Sequence, residues 1–207
     1  KRVIDNVYLR PIAFIGEGIM GLEHHPKVRS AIFSLKHSSP DNAPIIKVGL
    51  CDYVRAIDTI SKKISKNYFD SYMGLKEKSK EVDDLLFLDK NEMVTETSAH
   101  NIFFLTQEGS VVTPKTSNCL PGITRASVMT LLRAQGIEVK ERDIHKDELI
   151  FFLASFTTST ASEIRIIGEL DQVTYDSDNS IIKDLISSFR QTTIGQNASY
   201  RKWNYYV

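Results

Sequence analysis

Cysteine is almost absent from this chain. Only Cys51 and Cys119 occur, far apart and outside any CxxC or Cys/His ligand spacing, so the sequence carries neither a disulfide framework nor a zinc pattern. An excess of charge of one sign is lacking too. Lys+Arg and Asp+Glu are both 26, which removes the electrostatic case for nucleic acid or an anionic membrane surface as partner. No apolar run approaches the roughly 20 residues that cross a bilayer. The start, Lys1-Arg2-Val3-Ile4-Asp5-Asn6, puts an acid where a signal peptide needs an apolar core. His24-His25 and His100 have no third ligand at useful spacing, so no metal is expected. Asn197-Ala198-Ser199 fits a glycosylation triplet but needs a secretory context. The expectation is a cytoplasmic protein in a reducing compartment that handles small molecules.

What is present supports an enzyme of ordinary type. At 207 residues and 42% hydrophobic content, the chain buries one good core, or a core and a smaller lobe. Residues 8–15 read as a strand ending at Gly16, and 27–33 as a short mixed segment. Ser38-Ser39-Pro40-Asp41-Asn42-Ala43-Pro44 leaves no room for helix or ladder. It divides the chain into residues 1–37, a remainder of a small first domain, a linker at 38–44, and a large domain at 45–207. There, strands are predicted at 45–52, 85–88, 92–95 and 101–106, with a hairpin through Gln107-Glu108-Gly109-Ser110 to 110–113. Further strands follow at 137–141 and 150–155, and a second hairpin joins 163–167 to 172–174. Helices are predicted at 67–80, 124–135, 145–149 and 180–190, the last with Ile181, Ile182, Leu185, Ile186 and Phe189 on one face.

Two segments carry chemistry. Asn118-Cys119-Leu120-Pro121-Gly122-Ile123-Thr124-Arg125 breaks the preceding structure and opens a helix, with Thr124 as a candidate cap. The first-turn N–H groups of such a helix lack internal partners and sit at the positive end of its dipole, which suits a phosphate. Val94-Thr95-Glu96-Thr97-Ser98-Ala99-His100-Asn101-Ile102-Phe103-Phe104 places one acid between two apolar strand-like runs, which suits a cationic ring.

Leu120-Pro121-Gly122-Ile123-Thr124-Arg125, the Glu96 to Phe103 element and Thr158-Ser159-Thr160-Ala161-Ser162-Glu163-Ile164 occur in this order in the fold-type IV pyridoxal-phosphate enzymes, which this chain resembles. The family includes branched-chain aminotransferases, D-amino-acid aminotransferases and aminodeoxychorismate lyases. Tyr8-Leu9-Arg10-Pro11-Ile12-Ala13-Phe14-Ile15-Gly16 resembles the branched-chain aminotransferase version. The resemblance implies a two-lobed α/β (α+β) fold with an incomplete first lobe, a second lobe built on a mixed barrel-like sheet with helices, pyridoxal 5'-phosphate as cofactor, and at least a homodimer.

It also implies roles. The Schiff-base lysine of the family's aminotransferases stands four residues before an Asn-Tyr pair; Asn67-Tyr68 puts it at Lys63, with Lys62 and Lys66 as decoys. Such an amine joins the cofactor aldehyde, gives way to the substrate amine, and then moves the proton. Glu96 would keep the pyridine nitrogen protonated so that the ring takes up electrons. Ile123, Thr124 and Thr160 would hold the phosphate, Tyr68 the ring hydroxyl oxygen, and Leu120 the ring face. Thr160 and Ala161 N–H groups would hold the substrate carboxylate, and Tyr8 and Arg10 would line the substrate pocket. Arg10 could pair with the distal carboxylate of 2-oxoglutarate without charging an apolar floor. Arg55 and Arg125 are read as structural. The implied reaction moves the amino group of leucine, isoleucine or valine to 2-oxoglutarate through a pyridoxamine phosphate intermediate. A D-amino-acid aminotransferase, an aminodeoxychorismate lyase and a catalytically silent homologue stay open. Thr97 stands where the family often has Gly, and an expected phosphate-gripping arginine would lie before Lys1.

Overall fold

A computed structural model describes residues 7–16, 27–37 and 44–204. His24, His25, the Lys1 to Asn6 start and, except for Pro44, the 38–44 linker lie outside the described residues. The chain splits into two compact units, Lys1–Asp41 and Asn42–Val207.

The first unit is an antiparallel hairpin of β1 (Val7–Ile15) and β2 (Val28–Lys36), paired from Val7 with Lys36 to Ile15 with Val28. The segment read as short and mixed is thus a full strand. Its apolar residues Val28, Ala31, Ile32, Phe33 and Leu35 fall on both faces, so period-2 alternation is lost, while pairing with β1 satisfies its backbone. Tyr8 and Arg10, two apart, share one face of β1. Arg10 is exposed, and the Tyr8 ring lies 6.1 Å from that of His37.

The second unit is built on a mixed nine-stranded sheet. Its strands are β3 (Ile45–Leu50), β4 (Asp84–Leu88), β5 (Val94–Thr97), β6 (Asn101–Leu105), β7 (Val111–Thr113), β8 (Val139–Glu141), β9 (Ala154–Ser159), β10 (Glu163–Leu170) and β11 (Val173–Thr174). The spatial order is β5-β4-β3-β10-β9-β6-β7-β8, with β11 on β10. β3 runs parallel to β4 and β10, β7 runs parallel to β8, and the other pairs are antiparallel. The two path ends meet: Met93 and His145 form an isolated bridge, and Val94 N–H donates to the Ile144 carbonyl at 2.8 Å. That contact curls the sheet toward a barrel.

Alternation along the strands gives each face its own core. Ile46, Val48, Leu86, Ile102, Phe104, Val112 and Ile167 pack in one cluster, with Phe104 stacked on Phe152 at 4.7 Å. Phe103, Leu105, Val111, Phe156 and Ile166 face the other way, onto helices α2 (Ile123–Ala134) and α3 (Ser180–Thr193). The predicted apolar face of α3 holds: Ile182, Leu185 and Phe189 are buried, with Ile181 and Ile186 packed against the same cluster. Helix α1 (Ser65–Lys76) lies on β4, where a side chain at Gly74 would run into Cys51 and Phe87.

Two further elements differ from expectation. Residues 150–155 do not form one strand, because His145 caps a 3₁₀ helix, Lys146–Phe151, its Nδ1 accepting from the Asp147 N–H while Glu148 accepts from the His145 N–H, and β9 starts only at Ala154. The strand expected at 92–95 is shifted to Val94–Thr97. Asp89 Oδ1 accepts from the Asn91 and Met93 N–H groups, and Glu92 has φ of 60°, so a turn fills the first positions. The shift matters, since it puts Glu96 inside a buried strand. Among the described residues, no helix is long and apolar enough to cross a membrane.

Candidate active site

Glu96 is 8% exposed near the end of β5. Three donors from three elements hold it. Arg55 Nη1 donates to Oε1 at 2.9 Å, and the Leu120 N–H and Asn101 Nδ2 donate to Oε2 at 3.0 and 3.3 Å. Burial pushes its carboxyl up, against the pull of Arg55, the Leu120 amide and the Lys63 ammonium. Burial likewise pushes Arg55 down. A pair at 2.9 Å on one oxygen, with two further donors on the other, is held as an ion pair, because neutralising either partner strands the other.

The surrounding bonds explain why these groups meet. Arg55 is 2% exposed, lies 4.2 Å from the Phe87 ring centre, and donates through Nη2 to Ser71 Oγ at 2.5 Å. Ser71 Oγ in turn donates to the Ser98 carbonyl at 2.6 Å, so one guanidinium ties α1 to the β5–β6 turn. Asn101 Nδ2 also donates to the Leu120 carbonyl at 2.8 Å. A Cβ at Gly122 would stand 2.2 Å from Asn101 Oδ1, so glycine is required for this close approach.

Lys63 sits on the exposed stretch before α1. Asn67 pins that stretch, its Nδ2 donating to the Thr59 and Lys62 carbonyls at 2.9 and 2.7 Å. Lys63 Nζ lies 5.7 Å from the Tyr68 ring centre. Lys63, Tyr68, Glu96 and Leu120 line one open cavity, together with Arg55, Asn101, Lys62 and others. Lys66 is not among its lining residues, and of the two lysines that are, Lys63 acts electrostatically on Glu96.

The remaining sequence-derived positions lie outside that lining. Ile123 and Thr124 open α2, whose cap is Gly122 and not Thr124 as expected; no side chain caps it, and its first backbone bond runs from Ala126 N–H to the Gly122 carbonyl. First-turn N–H groups therefore point out of the helix, as an anion site requires. Thr160 and Ala161 form the turn between β9 and β10. Tyr8 and Arg10 belong to the first unit. Arg125 is structural, bonding the Pro114 carbonyl and Glu141 at 2.9 and 2.7 Å. Arg55 was missed as a site residue; an arginine eight positions before a lysine gives no signal until the loop folds back over β5. Asn101 and Ser71 were missed as supports for the same reason.

The residues fit pyridoxal phosphate by one test. An ionised carboxylate offers about four acceptor positions, and three of those of Glu96 are taken by Arg55, Leu120 and Asn101. One position is left for a ring N–H.

The curled mixed sheet with its acid-and-lysine cavity defines a fold-type IV protein. A family model described as Amino-transferase class IV matches residues 1–170, and the chain belongs to that family. A branched-chain-amino-acid aminotransferase of Pseudomonas aeruginosa is 31% identical over 177 residues, 81% of this chain and 57% of that protein. The chain thus spans a little over half the length of that relative. The crystal structure of a branched-chain amino acid aminotransferase from Thermobaculum terrenum in its PLP form matches with TM-score 0.88 and 26% identity, over 95% of this chain and 67% of that one. A 4-amino-4-deoxychorismate lyase structure from Legionella pneumophila, described there as putative, matches with TM-score 0.81 at 23% identity, over 88% of this chain and 69% of that one, which speaks for the fold alone.

Proposed function

We propose that this protein transfers the amino group of branched-chain L-amino acids to 2-oxoglutarate with pyridoxal phosphate. The observation that carries the reading is a single cavity holding both the Lys63 amine and a buried Glu96 with one acceptor position to spare. When bound, the cofactor supplies an aldehyde that condenses with amines and a ring that takes up the electron pair left when the substrate carbon loses its proton.

The chain's own residues do the rest. Lys63 takes the proton from the substrate carbon and returns it, and its place on an exposed loop lets the amine swing. Glu96 holds a proton at the ring nitrogen, and Arg55 keeps Glu96 ionised so that it can. Ile123 and Thr124 N–H groups, with the Thr124 and Thr160 hydroxyls, bind the phosphate. Tyr68 donates to the ring hydroxyl oxygen and Leu120 packs on the ring. Thr160 and Ala161 N–H groups orient the substrate carboxylate, and Tyr8 and Arg10 line the substrate side, with Arg10 accepting the distal carboxylate of 2-oxoglutarate. The division of the chain at its 38–44 linker, a cytoplasmic location and a homodimer that completes the pocket belong to the same proposal.

The test uses the intact protein. Borohydride treatment with the cofactor, followed by digestion, fixes cofactor mass on the Lys63 peptide; an unmodified Lys63 leaves a silent homologue. A donor screen with L-leucine, D-alanine and aminodeoxychorismate follows. The lyase fold neighbour makes the last compound a fair competitor, and turnover of only the latter two sinks the branched-chain assignment.

A further inference from the structure

His100 belongs to none of the roles above, yet it sits at the centre of a chain of bonds that crosses three elements. Its Nδ1 lies 3.1 Å from Asp84 Oδ2, at the start of β4, and its Nε2 lies 3.3 Å from Ser162 Oγ, in the turn between β9 and β10. Thr97 Oγ1 stands 3.3 Å from the same Nδ1. Asp84 is fixed on its other side, its Oδ1 accepting from the Leu85 and Ser98 N–H groups at 2.8 and 3.3 Å. With Nδ1–H donating to the Asp84 carboxylate, Nε2 is left to accept the Ser162 hydroxyl.

The turn that receives this bond needs holding. Glu163, directly after it, has φ of 53°, a left-handed backbone that is unfavourable for a residue with a side chain. Within the turn, one side-chain bond acts on the backbone, Ser162 N–H to Ser159 Oγ at 3.1 Å. Ser162 Oγ to His100 is the tie that leaves the turn and reaches the hairpin of β5 and β6. That hairpin carries Glu96 and Asn101, and Thr97 N–H donates to the His100 carbonyl at 2.9 Å within it.

We infer that His100 is a positioning residue, which, held by Asp84 and bonded to Ser162, braces the Thr160-Ala161-Ser162 turn against the acid-bearing hairpin and so sets how firmly the turn grips a substrate carboxylate. The inference rests on the proposed role of the Thr160 and Ala161 N–H groups. The brace itself rests only on the bonds described.

Hydrogen exchange on the cofactor-free intact protein reads the brace without any catalysis. His100→Ala raises amide exchange at 161–163 about tenfold, leaving the centres of β9 and β10 unchanged. Ser162→Ala does the same, and the double variant goes no further. His100→Gln, whose side-chain amide reaches the Nε2 position and can accept from the Ser162 hydroxyl through its oxygen or donate to it through its nitrogen, restores protection; His100→Asn, which reaches only the Nδ1 position, does not. In steady-state kinetics His100→Ala raises KM for L-leucine about tenfold while kcat stays within threefold, and His100→Gln again recovers most of it. Exchange at 161–163 that is the same in all variants, recovery by Asn as full as by Gln, or a loss confined to kcat overturns the inference. A parent protein that shows the exchange pattern but turns over no amino acid overturns the function proposed above and leaves the brace standing.

Discussion

Glu96 and Lys63 line one cavity and are built in opposite ways. The acid stands in a strand whose four residues are all buried, with donors arriving from the loop before α1, from β6 and from the turn before α2. The lysine is exposed on a loop, its stretch pinned by Asn67 and by the loop's own turn bonds. The difference follows from what each group would have to do. A group that holds one proton at one atom gains from a rigid, low-dielectric setting. A group that exchanges partners loses from it. Rigidity is thus allotted residue by residue within a single cavity.

Lys63→Ala tests the mobile side and carries the largest expected effect. Transamination by the intact protein falls about 10³-fold or more, while thermal stability stays within about 0.5 kcal/mol, as for other exposed positions. A stability loss of several kcal/mol would mean that the lysine is structural and would erase the contrast.

Arg55→Met tests the rigid side. It strands the Glu96 charge in the core and costs about 3–5 kcal/mol in urea unfolding. Adding Glu96→Gln recovers part of that loss, since no unpaired charge is then buried. Arg55→Lys is expected to behave more like Met than like Arg, because one ammonium cannot bond both Glu96 and Ser71 in the guanidinium's geometry. A cost below about 1 kcal/mol for Arg55→Met would show that the pair contributes nothing to the rigidity.

A third substitution probes the link between acid and helix. Asn101→Ala leaves the Leu120 carbonyl and one oxygen of Glu96 short of a donor, for about 1–3 kcal/mol. It also loosens the start of α2, so cofactor affinity falls together with stability; a drop in one without the other breaks the proposed coupling.

The smallest effect is read by pH. Burial alone would raise the Asp84 carboxyl, but the His100 ring and the Ser98 and Leu85 N–H groups outweigh it and hold it at about 2, below an unfolded value of 3.8. A lowered carboxyl stabilises the fold above the unfolded value and loses that contribution as pH falls through the folded one. The amount is about 2 kcal/mol, shed between roughly pH 4 and pH 2. Asp84→Asn flattens that part of the unfolding curve; an unchanged acid limb would contradict the bond to His100.

Much of this was legible in the chain. The helix face of Ile182, Leu185 and Phe189 and the hairpin through Gly109 follow from local periodicity and turn chemistry, and both occur. Pro121-Gly122 likewise announced the start of α2, though its cap proved to be Gly122. Where the reading slipped, long-range contacts were responsible. β2 gains its length from pairing with β1, the 3₁₀ helix after His145 takes residues that look like a strand, and Arg55 reaches Glu96 across 41 positions.

The order of the motifs along the chain was enough to show the family resemblance, because the Leu120 to Arg125 turn, the Glu96 element and the Asn67-Tyr68 pair are each written in a few adjacent residues. Which arginine steadies the acid, which histidine reaches the turn between β9 and β10, and how the sheet edges meet were decided only by the tertiary structure. Those depend on burial and on hydrogen bonds between segments far apart in sequence, and no local pattern encodes either.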